Sequence, residues 1–358
     1  MRSLTNEKSP IKDNYYWYNM FDMRAPVYIY DPTITDAQSK VRGIGRYLQI
    51  LRENCPSDWI FTSDLKKIPF HAILVQPFYT FYQPPLITKR ITDRQIAIIH
   101  DVIPLKYPEH YPIGVKAFFY SLLQKYYLGL FDSIITDSET SRNDIVTYLK
   151  IKKNKVSVLY PTLADCFWNS KIKSSGPSDY CLYVGDGTWN KNLSITAHAI
   201  KKANVTCIFV GKIFADTNPN HYTHPWQSDL HLFFKETQND KRFIFTGFVS
   251  DKELLHLYVQ AKMNILLSRD EGFGFSYVEA ASLGCPSLLS DTTIFHEIAG
   301  ESAAFVNQDN PEKIALKLKE LLEDSKKREM LSFKALEQAE KYSAESFRKK
   351  LLEVVYPY

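Results

Sequence analysis

The chain has 358 residues, 45% of them hydrophobic and 23% charged, an ordinary globular balance with room for two domains, each with its own core. Lysine and arginine exceed aspartate and glutamate by only four (44 − 40), too little to argue for nucleic-acid binding but compatible with anionic substrates or an anionic membrane surface. No apolar run approaches the length of a membrane span, and the first ten residues lack the apolar segment of a signal peptide.

Short runs rich in β-branched and aromatic residues alternate with amphipathic segments of helical length, which predicts βα units and parallel sheets, an α/β fold. In the first half the strand-like runs fall at 27–30, 72–76, 96–100, 133–136 and 156–160, with helical patterns at 46–52 and 141–149. Arg42-Gly-Ile-Gly-Arg-Tyr47 follows the first run across a long loop and opens a helix. Gly43 and Gly45 let a phosphate or substrate approach the backbone closely; they equally suit a plain tight turn. Ile98-Ile-His-Asp-Val-Ile-Pro104 puts His100 and Asp101 at the carboxyl end of a strand, the ligand-facing edge of an open sheet. His100 there either donates to a sugar hydroxyl or phosphate oxygen or is satisfied by backbone. Residues 115–131 carry Phe118, Phe119, Leu122, Leu123 and Tyr126 among other apolar residues, with Lys116 and Lys125. This stripe is too short and too charged to cross a bilayer. It predicts a helix packed into the first core, with a helix lying on a membrane as the alternative.

The polar segment 171–179, with Gly and Pro, reads as a linker. It divides the chain into 1–170 and 180–340, two doubly wound, Rossmann-like domains facing a central cleft. The amphipathic helix at 343–355, within a tail of 341–358, is expected to cross back onto the first domain. The five cysteines, Cys55, Cys166, Cys181, Cys207 and Cys285, are odd in number and include no C-x-x-C pair, which predicts a reducing, cytosolic compartment with no structural disulfide or zinc.

In the second half, strand-like runs fall at 181–185, 207–211, 243–247, 263–268, 287–290 and 304–306, with helical patterns at 193–202, 251–261 and 311–322. Lys191 follows the first of these runs and stands just before a helix. It can neutralise a diphosphate or simply be a solvated lysine. Lys212, after the second run, is a weaker candidate of the same kind. Glu297 holds a cleft loop or caps a helix. Glu271-Gly-Phe-Gly-Phe-Ser-Tyr-Val-Glu279 carries the most information. It sets one carboxylate on a strand-to-helix loop and a second about one turn into the helix, both at the carboxyl end of a parallel sheet. The amides of Gly272, Phe273, Gly274 and Phe275 suit a diphosphate or sugar hydroxyls. Carboxylates repel phosphate, so Glu271 and Glu279 suit neutral hydroxylic groups, ribose among them; two solvated helix-cap glutamates are the plainer alternative. The chain has no Asp-x-Asp, G-x-S-x-G or P-loop motif.

With these residues in place the chain resembles the retaining glycosyltransferases of the GT-B fold, family 4 type, over nearly its whole length. Gly43-Ile-Gly-Arg-Tyr47 resembles the family's glycine loop, and the segment from His100 to Tyr111 its substrate-side histidine segment. The segment from Asp132 to Ser138 resembles the strand before the domain crossover. Asn190-Lys-Asn192 resembles its phosphate-binding Arg-Lys-Asn, and Glu271 to Glu279 its two-glutamate signature. The pairing of Gly-Ile-Gly-Arg-Tyr with His-Asp-x-Ile-Pro resembles mannosyltransferases of surface polysaccharide assembly, such as the O-antigen of lipopolysaccharide.

The resemblance implies that Glu279 reads the donor ribose, Glu271 and the amides of Phe273 to Phe275 hold the transferred sugar, Lys191 binds the diphosphate and His100 contacts the sugar. The first domain then takes the acceptor and the second the nucleotide-sugar. Two departures stand out: Asp186 where many members have Arg, and Asn190 for the Arg of Arg-Lys-Asn, so that phosphate binding is expected to rest on Lys191 and Lys212. The implied reaction moves a hexose, with retention and without metal or other cofactor, from a nucleoside diphosphate sugar to a carbohydrate or lipid-linked glycan. GDP-mannose is the first expectation for the donor and a UDP-hexose (glucose, galactose or GlcNAc) the second. The enzyme is expected in the cytoplasm, with peripheral association at the inner face of the cytoplasmic membrane. A nucleotide-sugar epimerase or hydrolase, and a catalytically inactive nucleotide-sugar-binding protein, remain as alternatives.

Overall fold

The computed structural model describes residues 25–34, 43–170, 172 and 178–357. The first half runs β1 (Val27–Tyr30), α1 (Gly43–Asn54), β2 (Ile60–Thr62), β3 (Ile73–Gln76), β4 (Arg94–Ile98), α2 (Ile103–Lys106), α3 (Val115–Tyr127), β5 (Ser133–Thr136), α4 (Glu139–Leu149), β6 (Val156–Val158) and α5 (Asp165–Trp168). The second runs β7 (Cys181–Val184), α6 (Leu193–Ala203), β8 (Cys207–Val210), α7 (Ser228–Thr237), β9 (Phe243–Gly247), α8 (Asp251–Gln260), β10 (Met263–Leu266), α9 (Phe275–Ser282), β11 (Ser287–Ser290), α10 (Thr293–Ala299), β12 (Ala304–Val306), α11 (Pro311–Glu323), α12 (Ser325–Ala339) and α13 (Ala344–Val355).

The strands form two parallel six-stranded sheets, ordered β2-β1-β3-β4-β5-β6 and β12-β11-β10-β7-β8-β9. This is the GT-B architecture. In the second sheet the chain steps outward from β7 to β9, returns to β10 on the other side of β7, and steps outward again to β12. From neighbouring β7 and β10, paired with Met263 opposite Cys181, the chain therefore proceeds to opposite sides of the sheet, which marks a switch point at their carboxyl ends. Strands β3, β10 and β11 are buried at every residue, as expected where helices cover both faces of a parallel sheet.

The second sheet sits in one continuous core. The first has a core on each face: Ile29, Leu48, Val75 and Ile98 on one, Leu74, Ala97, Ile134 and Ile145 on the other. Helix α13 returns to the first of these faces through Phe347, Leu351 and Val355. Arg348 Nε fastens it to Asn54 Oδ1 at 3.0 Å, and Arg94 donates to the carbonyl of Val354 at 3.1 Å. Phe275, at the start of α9, packs against cores of both halves.

Four expectations need correction or limits. The apolar stripe of 115–131 is core only at its end, where Leu128 and Phe131 join the first domain's core; on α3 itself the buried side chains are Ser121 and Gln124, while Phe118, Phe119, Leu122, Leu123 and Tyr126 face outward. The strand expected at 96–100 runs from Arg94 to Ile98, so His100 lies beyond its end. Strand β2 and helices α7 and α12 were not expected. Of 171–179 only Ile172, Ser178 and Asp179 are described; the rest lies outside the described residues, as do 35–42, including Arg42. Among the described residues no helix is long and apolar enough to cross a membrane.

Candidate active site

The loops leaving β7 and β10 meet over this switch point, and two asparagines join them. Asn190 is buried; its Nδ2 donates to the carbonyl of Asp270 at 2.9 Å. Its Oδ1 accepts from Tyr111 and Thr188 hydroxyls, each at 2.7 Å. Asn192, at φ 58°, donates to the carbonyls of Leu267 (3.0 Å) and Gln308 (2.8 Å). Asparagine tolerates this left-handed backbone better than most residues, and here it ends one short helical turn and starts α6. With its two neighbours committed to the scaffold, Lys191 is held between the loops. Its Nζ meets Glu271 at 2.7 and 2.9 Å, and Ser268 donates to the same carboxylate at 2.6 Å. Burial disfavours the charged Lys191, but the charges of Glu271 and Asp186 outweigh it and hold the ammonium above its ordinary range.

After Glu271 the chain turns on two glycines. A Cβ on Gly272 would lie 3.1 Å from the carbonyl oxygen of His100 and 3.2 Å from Asp101 Cβ, so a bare backbone is what lets this loop reach the first sheet. The Gly272 carbonyl accepts from Ser138 (2.7 Å) and Ser141 (3.0 Å), both of the other half. Gly274 has φ +95°, and its Cβ would press on Ile298 and Phe295. The Phe273 side chain is buried beside Tyr342 and Phe275, with ring centroids 5.3 Å away in each case, and anchors the loop. Among the described residues the amides of Gly272, Phe273, Gly274 and Phe275 find no protein acceptor. They stand unpaired at the positive end of α9, an arrangement suited to an anion or to hydroxyl oxygens.

One turn into α9, Glu279 is buried and accepts from the Tyr258 hydroxyl at 2.8 Å. Burial pushes its carboxyl up to about 7, against the downward pull of Arg46 and Tyr258. Arg46 comes from the first half. It holds both carboxylate oxygens of Asp251, one at 3.0 Å, and its charge also reaches Glu279.

His100 faces two acceptors, Asp137 Oδ2 at 2.7 Å from Nδ1 and the Pro77 carbonyl at 3.1 Å from Nε2. Only the doubly protonated ring satisfies both. Burial lowers the imidazole pKa, but Asp137 outweighs it and the net shift is upward. Tyr47, one residue beyond Arg46, packs edge-on against the ring at 4.5 Å. Beside it Asp101 is pushed up by burial, against its hydrogen bond from the Ile103 amide.

The structure therefore groups Lys191, Glu271, the 272–275 amides and Glu279 along one crevice, with His100 and Asp101 across from Gly272. Gly43 and Gly45 lie in the first turn of α1, the helix that carries Arg46 and Tyr47. Lys212 is exposed at the start of a short helical turn and forms no ion pair among the described residues. Asp186, also exposed, accepts from its neighbour Thr188 at 2.9 Å. Glu297 caps α4 of the other half, accepting from the amides of Glu139 (2.7 Å) and Thr140 (2.8 Å). Sequence reasoning passed over Arg46, Asp137 and the Ser138–Ser141 pair. Arg46 had a signal, its place after Gly45 at a helix start; the others had none beyond a strand end and a helix cap.

Residues 167–338, from α5 to α12 and thus across the whole second sheet, match the family model described as glycosyl transferases group 1. The chain is 27% identical over 217 residues to the O-antigen chain mannosyltransferase RfbU of Salmonella typhimurium, an alignment covering 60% of this chain and 57% of that protein. It is 22% identical over 278 residues to the O-antigen chain mannosyltransferase B of Escherichia coli, covering 75% and 71%. Among solved structures, a glycosyltransferase from Rickettsia africae shares the fold at TM-score 0.62 and 13% identity, with 93% of this chain and 98% of that one covered.

Proposed function

Because the chain belongs to the GT-B glycosyltransferases of the family 4 type, we propose that it moves a hexose, with retention, from a nucleoside diphosphate sugar to a carbohydrate or lipid-linked glycan. The observation that carries this reading is the ion pair of half-buried Lys191 with buried Glu271, beside four amides that have no acceptor among the described residues, at the switch point of the second sheet. Phosphate oxygens fit the ammonium and the amides, while hydroxyls fit the carboxylates. Glu279 takes the ribose, Glu271 a sugar hydroxyl, and Lys191 the diphosphate. Asn190 is engaged with Asp270 and Tyr111, so its place in the arginine position leaves phosphate binding to Lys191 and the helix start. Lys212 is exposed and forms no ion pair among the described residues, and in this reading it contributes less.

In the proposed front-face step the acceptor hydroxyl approaches the anomeric carbon on the side of the leaving diphosphate. The bond from anomeric carbon to phosphate oxygen breaks, that oxygen takes the hydroxyl proton, and the new glycosidic bond forms on the same face. Lys191 and the amides stabilise the charge growing on the phosphate, with no metal ion called on. His100, protonated and held by Asp137, offers Nε2–H to a sugar hydroxyl that displaces the Pro77 carbonyl. GDP-mannose is the first donor proposed, since the mannosyltransferases RfbU and mannosyltransferase B are among the relatives; a UDP-hexose is the second. The scattered free cysteines fit a reducing, cytoplasmic setting.

The test is a donor panel read by thermal stabilisation, followed by turnover with a glycan acceptor and assignment of the product anomer by NMR. Retained configuration and acceptor-dependent release of the nucleotide support the reading. Nucleotide release that ignores the acceptor would make the protein a hydrolase, and donor binding without turnover would make it a binding protein.

A further inference from the structure

Helix α3 is inverted. At about 3.6 residues per turn, Val115, Phe118, Phe119, Leu122, Leu123 and Tyr126 fall in one stripe, and the stripe points to solvent. Val115 is 75% exposed, Tyr126 77%, and the other four between 42 and 57%. The inward side is polar: Gln124 Nε2 donates to the Gln83 carbonyl at 3.0 Å, and the Gln124 carbonyl accepts from Tyr79 at 2.5 Å. Those hydrogen bonds hold the helix to the protein, and among the described residues nothing covers its apolar face. Single exposed apolar residues are ordinary, but a contiguous stripe of this kind marks a contact surface.

Charge says what the contact is. Lys125 bounds one edge of the stripe and Lys116 the other, and residues 112–131 contain no carboxylate. The far end of α3 meets the loop 150–155, which carries Lys150, Lys152, Lys153 and Lys155 and again no carboxylate. Lys155 lines one cavity with Lys125, Leu128 and Gly129, and its Nζ donates to the Phe131 carbonyl at 2.9 Å. An apolar stripe edged with lysines suits the boundary between acyl chains and anionic headgroups, where the lysine stems extend up from the apolar layer. A second copy of the chain would bring lysines to lysines along both edges.

We propose that the outward face of α3, with the 150–155 loop, docks on an anionic lipid bilayer. The sugar-transfer reading is not needed for this, and the test uses neither nucleotide nor acceptor. The full chain is sedimented with vesicles of phosphatidylcholine alone and of phosphatidylcholine mixed with phosphatidylglycerol, at low and high salt. Binding to the mixed vesicles only, weakened by salt, is the expected result. Phe119→Glu with Leu122→Glu abolishes it, and Lys116→Gln and Lys125→Gln each weaken it by about 5-fold. These side chains are exposed, so an unchanged melting temperature is expected; Tyr126→Gln, with a smaller loss, serves if the double variant fails to fold. Equal binding to both vesicles, no binding to either, or binding that survives the glutamates would overturn the proposal. So would a dimer in light scattering that the same glutamates dissociate, since a second copy would then be the occupant.

Discussion

At one end of the crevice the Glu271 carboxylate meets an ammonium at 2.7 and 2.9 Å and a hydroxyl at 2.6 Å. At the other, Glu279 meets the Tyr258 phenol at 2.8 Å, while Arg46, whose charge reaches it, gives its hydrogen bonds to Asp251 and Gln49. Both glutamates are buried, Glu271 on the loop that leads into α9 and Glu279 in its second turn. The first carries a matched cation. The second is under-compensated, and burial lifts it to about 7. A phosphate arriving at the first end must share Lys191 with Glu271, which favours a ligand with a hydroxyl for Glu271 as well. A diol arriving at the second end supplies hydrogen-bond donors that the ionised carboxylate lacks. Charge is thus prearranged where the diphosphate would leave, and recognition is left to the ligand where ribose would bind.

Removing the cation should give the largest effect. Lys191→Ala is expected to lower kcat/KM about a thousandfold, the size of losing one preorganised donor to a charge that grows in the transition state. It should also cost about 3 kcal/mol of stability, because Glu271 stays buried without its partner. The double variant Lys191→Met with Glu271→Gln separates these effects. Urea unfolding should show most of the stability restored, while turnover stays low. Recovery of turnover in the double variant would mean that Lys191 only positions Glu271 and does not touch phosphate.

The Glu279 end should respond to pH. With a folded value of about 7 against an ordinary 4.5, this carboxyl binds its proton more tightly when folded. Its contribution to stability is then fully present below 4.5 and is lost as pH rises to about 7, by about 3 kcal/mol in all. Glu279→Gln removes that slope, so the variant should gain on wild type across this window. With ribose on Glu279 as proposed, donor binding should run the other way, since the hydroxyls need the ionised form as acceptor. Wild-type donor KM should fall as pH rises through neutrality, and Glu279→Gln should raise KM at pH 8 by about 10- to 100-fold with little change in kcat. A flat wild-type profile would place ribose elsewhere.

The two ends also differ in how much of them was legible in the sequence. The Glu271–Glu279 spacing, the glycines and the preceding strand are local: each follows from residues within a few positions, and β10 and α9 form nearly as the pattern predicts. Arg46 is more than two hundred positions from Glu279, and Asp137 is far from His100 in the chain; no periodicity connects such pairs, only the folded sheets do. Strand β2 escaped because three half-exposed residues at a sheet edge leave no alternation to read. On α3 the apolar stripe was legible but its direction was not. Periodicity defines a face, and here the hydrogen bonds of Gln124 and Tyr79 decide which face turns inward.

The smallest expected effect concerns the contact that keeps both ends facing the first sheet. Glu297 spends both carboxylate oxygens on the start of α4: one accepts from the Glu139 amide and the Tyr160 hydroxyl (2.7 and 2.9 Å), the other from the Thr140 amide and hydroxyl (2.8 and 2.6 Å). The same helix start supplies Ser138 and Ser141 to the Gly272 carbonyl, the residue after Glu271. Glu297→Gln keeps the shape but loses one acceptor and the charge that faces the helix dipole. The halves should separate more readily, and donor KM should rise about 3- to 10-fold with kcat unchanged, the range expected for one strained cap. Thr140→Val, which removes one donor and leaves the charge, should give less. If X-ray scattering shows the same radius for Glu297→Gln and wild type without donor, the clasp resides in Arg46–Asp251 and Lys106–Asp270 instead. The glutamate ends of the crevice would then be aligned from their flanks and not from the helix between them.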